Sequence, residues 1–232
     1  MRRALILGNG IPPSRALFES FMRDEPLLLC ADGGGNTAAR YGYVPDYIVG
    51  DLDSLEEASK AGVAAERIVR VDADDTSTDM HKVLRLALEL GVAEAVLVGF
   101  TGGRTDHILW NLSLLKTFQK QLSLCLIDDY CDIRLIDGSI CFRGKIGQHI
   151  SLCPLTGPVE GIETTGLKFA LQGETLSPGI RDGISNEIID NPVEIRVGKG
   201  DLLLVVQREG GNGEIEVQEV SRPRIRPPNH RH

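Results

Sequence analysis

The sequence lacks the features that mark membrane and secreted proteins. No apolar run approaches the roughly 18 residues that a membrane-spanning helix needs, so we expect no membrane contact. Near the start, Arg2 and Arg3 precede a run of only four apolar residues, which ends at Gly8. This run is too short for the apolar region of a signal peptide, and it predicts a first β-strand instead.

Cysteine does not occur in the patterns that carry disulfides or metals. The five cysteines form no C-x-x-C pair, and their odd number does not suit a disulfide framework. Cys30 and Cys125 lie inside apolar runs, where a reduced cysteine behaves as a small hydrophobic residue. These observations favour a reducing compartment, and we expect the protein in the cytoplasm.

The chain also has no excess of basic residues. The 25 Lys and Arg are outnumbered by 33 Asp and Glu, which gives a net charge of −8. An acidic chain does not suit a nucleic-acid binder, whose affinity comes from cationic side chains, so we expect no nucleic-acid partner. It does suit a protein that meets anionic ligands through metal ions.

Strands and helices are predicted to alternate through residue 137. The chain of 232 residues is long enough for one large domain or two modest ones. Apolar runs predict strands over 3–7, 27–31, 45–49, 68–71, 95–98, 122–128 and 133–136. Helical periodicity predicts helices over 14–23, 80–90 and 106–119, and a short helix that ends at Tyr41. The last helix is predicted to bury Ile108, Leu109, Leu112, Leu115 and Phe118. This alternation is typical of an α/β domain with a mostly parallel sheet covered on both faces.

Beyond residue 137 the pattern changes to short β-runs. Turn residues separate runs over 140–143, 149–154, 161–165, 167–171, 185–189, 192–197, 201–207 and 214–220. This spacing predicts an all-β sandwich or barrel. The sequence therefore predicts an α/β domain over 1–137 and an all-β domain over 138–220. A basic, proline-rich tail follows over 221–232, and we expect it to be disordered.

Asp51 and Asp53 form the most informative short motif. They follow the apolar run 47–49, which predicts the end of a buried strand. Side chains two residues apart in an extended chain point to the same side, so the two carboxylates can share one hard cation, or hold two, at the carboxyl edge of a sheet. Mg²⁺ takes oxygen ligands and commonly arrives with phosphates. The alternative is a polar turn in which Ser54 begins a helix, and for an isolated D-x-D motif this is the commoner arrangement.

Three other predicted strand ends carry loops of the same kind. Residues 32–36 place three glycines between Asp and Asn, which either bring the backbone close to a ligand or form a flexible turn. Residues 72–79 include four acids before a helix, which are either metal ligands or a solvated loop. Residues 102–104, Gly-Gly-Arg, stand at a helix start, where backbone N–H groups and a guanidinium favour an anion.

Taken together, these motifs resemble those of the thiamine pyrophosphokinase family. The matching blocks occur in order between residues 3 and 207: 31–36, 45–54, Thr78-Asp79 with Lys82, 102–107 with Asn111, 151–155, 166–171 and 183–187. The resemblance implies transfer of the pyrophosphoryl group of ATP to the hydroxyethyl oxygen of thiamine, giving thiamine diphosphate and AMP. It also implies an N-terminal α/β domain, a C-terminal β domain and a homodimer. The active site would lie between the α/β domain of one subunit and the β domain of the other.

The resemblance implies a role for individual residues of these blocks. Asp51, Asp53 and Asp79 would be the catalytic residues and the Mg²⁺ ligands, and one of these carboxylates would accept the thiamine hydroxyl proton. ATP and its phosphates would contact Asp32, Gly33, Gly34, Asn36, Lys82, Gly102, Gly103, Arg104, Asp106, His107 and Asn111. Thiamine would contact Ser185 and Asn186. For Lys82, a surface salt bridge with a neighbouring acid is the alternative.

The chain departs from the family pattern in two places. Family members commonly carry an acid or amide three residues before the aspartate that corresponds to Asp79, and this chain has Thr76 there. Some members place a tryptophan of the β domain near thiamine, whereas the single tryptophan here is Trp110, in the helix over 106–119. Phe169 is a candidate for that aromatic surface, or alternatively a core residue.

Two other functions fit part of the pattern. A transferase that uses a different nucleotide donor, such as a glycosyl or nucleotidyl transferase, would explain the acids but not the motifs of the β region. A non-catalytic sensor of nucleotide or thiamine on the same fold would predict a broken set of acids. Asp51, Asp53 and Asp79 are all present, which favours the enzyme.

Overall fold

The computed structural model describes residues 2–71 and 78–208. The strands are β1 (Arg2–Leu7), β2 (Leu27–Ala31), β3 (Tyr47–Gly50), β4 (Ile68–Arg70), β5 (Val92–Val98), β6 (Ser123–Ile127), β7 (Cys131–Ile136), β8 (Ser139–Phe142), β9 (His149–Pro154), β10 (Val159–Thr165), β11 (Gln172–Leu176), β12 (Gly183–Glu187), β13 (Val193–Arg196) and β14 (Leu202–Gln207). The helices are α1 (Arg15–Met22), α2 (Gly34–Tyr41), α3 (Asp79–Glu89) and α4 (Thr105–Phe118), and two 3-10 turns cover Glu57–Lys60 and Ala65–Arg67. Within these residues no helix is both long enough and apolar enough to cross a membrane.

The larger sheet has a parallel half and an antiparallel half. Among the described residues its strand order is β12-β9-β14-β7-β6-β5-β1-β2-β3-β4. The six strands from β6 to β4 in this order pair in parallel, as the alternation of strands and helices predicted. Strand β7 reverses direction against β6, and β14, β9 and β12 continue antiparallel beyond it. The parallel half therefore brings the carboxyl ends of β1, β2, β3 and β5 to one edge.

Helices cover both faces of the parallel half. Ala4 and Ile6 of β1 lie in a core that also contains buried side chains of α3 and α4. The alternate residues Leu5 and Leu7 lie in a second core with Phe18 of α1 and residues of α2. This alternation follows from the period of two in a strand, and it confirms the predicted α/β layering.

The C-terminal strands form the predicted β-region. A separate antiparallel sheet with the order β11-β10-β13-β8 faces the antiparallel half of the larger sheet. A third core lies between them, with Phe142, Val193 and Ile195 from the small sheet and Leu152 and Leu204 from the large one. Such packing of two sheets across apolar side chains is that of a β-sandwich.

The segment 167–171 was predicted as a strand, and this prediction is wrong. Leu167 forms an isolated bridge with Ile188, and the strand of this region is β11 at 172–176. The reason is that the backbone of Phe169 is bonded by a side chain: Asn186 Oδ1 accepts from its N–H at 3.0 Å, and Asn186 Nδ2 donates to its carbonyl at 2.8 Å. These bonds take the place of a strand ladder.

One local prediction also needs correction. Leu109 was predicted on the inner face of α4 but is 65% exposed, because the buried positions of that helix are Asn111, Leu114, Leu115 and Phe118. The alternative for the D-x-D motif placed a helix start at Ser54, whereas the next helical element is the 3-10 turn that starts at Glu57. The predicted strand over 214–220, the tail over 221–232 and the acids Asp72, Asp74 and Asp75 with Thr76 lie outside the described residues.

Candidate active site

The candidate site is built from loops at the carboxyl edge of the parallel strands. Asp32 follows β2, the loop 51–54 follows β3, and the loop 99–104 follows β5 into α4. Asp79 is the first residue of α3, where a carboxylate is favoured by the helix dipole. The loops after β2, β3 and β5 therefore start from one edge of the sheet, as their positions after strands predicted, and of the loop 72–79 only Thr78 and Asp79 lie within the described residues.

Three carboxylates meet at this edge. Asp32, Asp51 and Asp53 each offer an oxygen atom, and these three atoms lie within 4.8 Å of one another. Carboxylate oxygens at such spacing can hold a hard cation, and Mg²⁺ prefers oxygen ligands. The sequence grouped Asp51 and Asp53 with Asp79 and assigned Asp32 to the nucleotide, so the membership of Asp32 in this cluster was missed.

The burial and the hydrogen bonding of Asp32 suit a cation ligand. It is 2% exposed, and its Oδ1 atom has no hydrogen-bond partner among the described residues. Burial raises the pKa of Asp32. Hydrogen bonds from Gly33 and Ser54 oppose this rise, and the negative charges of Asp79 and Asp53 add to it. A buried carboxylate oxygen without a partner costs free energy. A bound cation would remove this cost, so the residues present fit a divalent metal.

The loop with Asp51 and Asp53 has an unusual backbone. Leu52 adopts a φ of +65°, a left-handed conformation that is uncommon for a residue with a side chain. The N–H of Asp53 donates to Asp51 Oδ1 at 3.3 Å, and the Ser54 hydroxyl donates to Asp53 Oδ1 at 2.9 Å. Asp51 is half-buried and Asp53 is exposed, and each carboxylate accepts a bond from a donor inside the loop.

Glycines let β3 and α2 approach their neighbours closely. A Cβ atom on Gly50 would lie 2.8 Å from the Cβ of Asp32, and one on Gly34 would lie 2.1 Å from the Leu7 carbonyl oxygen. Both contacts are too short for any larger residue. The glycine-rich block 33–35 is therefore explained by packing at the start of α2, and the predicted contact of Gly33 and Gly34 with a nucleotide stays a prediction.

Lys82 supplies a positive charge beside the acids. Its ammonium nitrogen lies 3.2 Å from Asp79 Oδ1, one turn earlier on α3, and the lysine side chain is 5% exposed. The ion pair that the sequence offered as an alternative is thus present. Its lysine side chain is buried, whereas the side chain of Asp79 is 38% exposed. Lys82 balances part of the negative charge gathered at this edge, and its predicted contact with phosphate is not decided by this pairing.

Arg104 lies on the surface at the start of α4. Its guanidinium contacts both carboxylate oxygens of Asp106, at 2.5 Å and 3.2 Å, and this bond holds the pKa of Asp106 down at about 2. Gly102 and Gly103, just before it, have φ values of +74° and +68°. Both side chains of the pair are mostly exposed, so a stronger anion can replace Asp106 on the arginine.

Two further residues of this block have different surroundings. His107 is exposed on the first turn of α4. Asn111 is buried, and its amide donates to the Phe100 carbonyl at 3.0 Å. Asn111 therefore ties the loop 99–104 to α4, and its predicted contact with ATP stays a prediction.

The predicted thiamine residues lie in the β-region. Ser185 is exposed with a φ of +57°, and its N–H donates to Ser151 Oγ at 3.1 Å. Asn186 is buried and holds the backbone of Phe169. A hollow of about 190 Å³ lies beside them, lined in part by Asn186, Ile184 and Phe169. Phe169 is 62% exposed, so it is not a core residue.

Comparison with known proteins assigns the chain to a family. A model of the thiamin pyrophosphokinase catalytic domain matches residues 18–126, and a model of the thiamin pyrophosphokinase vitamin B1 binding domain matches residues 139–202. Thiamine pyrophosphokinase 1 of Oryza sativa is 30% identical over 198 residues, which cover 73% of this chain and 74% of the relative. The chain belongs to the thiamine pyrophosphokinase family. The enzyme of Bacillus subtilis is 28% identical over 187 residues, which cover 78% of this chain and 87% of the relative.

Solved structures of the thiamine pyrophosphokinase family have the same fold. The crystal structure of the Bacillus subtilis protein superposes with a TM-score of 0.78 at 25% identity, over 89% of this chain and 99% of that one. The yeast structure superposes with a TM-score of 0.72 at 22% identity, over 89% of this chain and 86% of that one, and supports the fold alone. The acid cluster and Arg104 lie within the match to the catalytic domain. Ser185 and Asn186 lie within the match to the vitamin B1 binding domain.

Proposed function

We propose that this protein transfers the pyrophosphoryl group of ATP to the hydroxyl of thiamine, giving thiamine diphosphate and AMP. The observation that carries the proposal is the cluster of Asp32, Asp51 and Asp53 at the carboxyl edge of the sheet, in a chain of this family. Transfer of phosphoryl groups depends on positioning and on neutralisation of charge more than on a covalent intermediate. The acid cluster would hold a cation that neutralises charge. Arg104 and the start of α4 would position the phosphates.

Mg²⁺ is the proposed metal, held by Asp51, Asp53 and Asp79 together with Asp32. Hard oxygen ligands and a buried oxygen without a partner among the described residues support this choice. When bound, the ion would neutralise the phosphate oxygens of ATP. Its charge would also relieve the repulsion from Asp79 and Asp53, which adds to the effect of burial on the pKa of Asp32.

The chain's own residues then bind and orient the substrates. Arg104 would exchange Asp106 for a phosphate of ATP, and the positive-φ backbone of Gly102 and Gly103 would pass close to that phosphate. The hydroxyl oxygen of thiamine forms a bond to the β-phosphorus, and the bond from that phosphorus to the α,β-bridging oxygen breaks, so AMP leaves. The hydroxyl proton passes to one of the aspartate carboxylates. The remaining proposed ATP contacts are Gly33, Gly34, Lys82, Asp106, His107 and Asn111.

Thiamine is proposed to bind at the hollow beside Ser185 and Asn186. The match to a vitamin B1 binding domain covers both residues, and the exposed ring of Phe169 supplies an apolar surface next to them. An aromatic face suits a flat heterocyclic cation such as thiamine. Asn186 would act mainly by keeping Phe169 in place, because its amide already bonds the Phe169 backbone.

A homodimer is proposed to complete the site, with a second copy of this chain as the partner. Leu109 is 65% exposed and Trp110 50% exposed on the first turns of α4, close in sequence to Arg104. In the β-region Phe169, Ile180 and Ile184 are also more than half exposed. Apolar side chains exposed next to a site are typical of surfaces that another subunit covers.

The double variant Leu109→Glu/Trp110→Glu is expected to sediment as a monomer and to lose at least about 10-fold in activity, because two charges would be buried in the proposed interface. Sedimentation velocity at matched concentrations measures the first effect. Val44→Glu is the matched control, since Val44 is 57% exposed but lies away from α4 in the chain. A wild-type protein that is monomeric and fully active would contradict the dimer.

We also propose that the protein works in the cytoplasm, without a nucleic-acid partner. All five cysteines are free, and burial raises the pKa of the Cys30 thiol and raises that of Cys125 to about 12. Such thiols stay protonated and unreactive at neutral pH. The net charge of −8 opposes binding to a polyanion.

The function is tested by incubating the protein with ATP, Mg²⁺ and thiamine and by measuring the nucleotide product. One AMP is expected for each thiamine diphosphate, with no turnover when thiamine is omitted. Formation of ADP would show transfer of a single phosphoryl group. Either ADP as the product or turnover that does not depend on thiamine would reject the proposal.

A further inference from the structure

Asn36 bonds the acidic loop with both ends of its amide. Its Nδ2 donates to the Ser54 carbonyl at 2.8 Å, and its Oδ1 accepts from the Glu56 N–H at 3.0 Å. Both partners are backbone groups, 18 and 20 residues further along the chain. Asn36 thus joins α2 to the backbone that immediately follows Asp51 and Asp53.

This loop needs support from outside itself. Leu52 holds a left-handed φ of +65°, which is unfavourable for a residue with a side chain. The bonds within the loop are accepted by carboxylate oxygens of Asp51 and Asp53, the side chains that would hold the cation. Like charges gathered without a metal repel one another as well. The two bonds to Asn36 involve none of the carboxylate oxygens, so they persist when a cation binds.

The packing around Asn36 gives these bonds a rigid base. A Cβ atom on Gly35 would lie 2.8 Å from the Cδ1 of Leu55, so the start of α2 rests directly on that side chain. Leu55 is 8% exposed and stands between the two residues that Asn36 bonds. An apolar anchor and two hydrogen bonds therefore fix the same short segment, 54–56, against α2.

We propose that Asn36 is a positioning residue, which holds the loop 51–54 in the conformation that lets Asp51 and Asp53 bind a divalent cation. This inference rests on the proposed function, since it takes the acid cluster as the metal site. Asn36 would act through the two aspartates, with both ends of its amide directed to the loop backbone. The groups that orient metal ligands contribute about 10- to 100-fold to metal affinity or activity.

Binding of Mn²⁺ alone, followed by electron paramagnetic resonance without nucleotide, tests this role. Asn36→Ala is expected to weaken Mn²⁺ binding by about 10- to 100-fold and to lower kcat more than it changes the KM for ATP. Glu56→Pro removes one of the two bonds without altering Asn36, and the φ of −69° at Glu56 already suits proline. Glu56→Ala is its matched control, because alanine keeps the N–H. We expect Glu56→Pro to weaken Mn²⁺ binding and Glu56→Ala to leave it unchanged.

The outcomes separate this inference from the proposed function. If the wild-type protein does not bind Mn²⁺, both the proposed metal site and the proposed role of Asn36 are contradicted. If the wild type binds Mn²⁺ and Asn36→Ala binds it equally well but has a raised KM for ATP, Asn36 contacts nucleotide and the positioning role is rejected. A lower Tm with unchanged Mn²⁺ affinity would make Asn36 a structural residue only. If Asn36→Ala does not fold, Glu56→Pro against Glu56→Ala decides the question.

Discussion

Replacing Asp53 with asparagine is expected to lower thiamine-dependent AMP formation by about 100- to 1,000-fold, since a metal ligand stabilises transition-state charge by several kcal/mol. The Tm is expected to stay almost unchanged. Asp53 is exposed, and asparagine keeps an oxygen that can accept from the Ser54 hydroxyl. The loss would therefore come from the missing negative charge. Steady-state assays and differential scanning calorimetry on the same preparation measure both quantities.

Asp24→Asn is the matched control for this substitution. Asp24 is also an exposed aspartate, and it pairs with Arg3 at 3.3 Å, away from the acid cluster. An exposed ion pair contributes about 0–1 kcal/mol, so the control should keep both its activity and its Tm. A large fall in Tm for Asp53→Asn, or full retention of its activity, would favour a purely structural turn at residues 51–54.

Replacing Asp32 with asparagine is expected to have two opposite effects. Activity should fall by about 100-fold or more, because a carboxylate of the cluster is lost. The metal-free protein should become more stable at neutral pH, because a buried carboxylate with an oxygen unpartnered among the described residues is replaced by a neutral amide. Asparagine also tolerates the φ of +43° at this position, so no backbone strain is added.

The pH dependence of this stabilisation follows from the raised pKa of Asp32. Because the folded protein binds this proton more tightly than the unfolded chain, the wild type loses stability as the pH rises from about 4 through the raised value. The variant has no such loss. In a chelator, the Tm of Asp32→Asn should therefore exceed that of the wild type by more at pH 8 than at pH 4. Adding Mg²⁺ should raise the Tm of the wild type more than that of the variant.

A wild type that is more stable than Asp32→Asn at pH 8 without metal would contradict this explanation. It would mean that the Asp32 carboxylate stabilises the fold by itself. A variant that kept full activity would show that Asp32 is not part of the metal site.

The sequence predicted where the site lies, because its motif residues come directly after apolar runs that form strands. Asp51 and Asp53 stand two positions apart after β3, and the parallel sheet brings the ends of its strands to one edge. Local pattern does not give the order of strands in that sheet. Asp32 joins the cluster because β2 pairs with β3, with Ala31 opposite Val49, and because Gly50 permits a close approach. The place of Asp32 in the acid cluster therefore becomes visible only when the pairing of β2 with β3 is known.

The details that local pattern did not show involve side chains that bond distant backbone. The resemblance implied a nucleotide contact for Asn36, and the structure shows in addition that its amide bonds a loop 18–20 residues away. The resemblance implied a thiamine contact for Asn186, and its bonds to Phe169 take the place of the strand predicted over 167–171. Leu109 was predicted on the inner face of α4 but is exposed, whereas Asn111 is buried and bonds the Phe100 carbonyl. Apolar periodicity cannot show that an amide takes a buried position.

The most direct test of the acid cluster is an anomalous difference map from crystals grown with Mn²⁺, thiamine and a non-hydrolysable ATP analogue. We expect a Mn²⁺ peak at bonding distance from carboxylate oxygens of Asp51 and Asp53, with Asp32 in contact with the same ion or with a second one beside it. The phosphates of the analogue should share that ion. A peak that lies away from Asp32, Asp51 and Asp53, in crystals of a protein that forms thiamine diphosphate and AMP, would contradict the assignment of this cluster as the catalytic metal site.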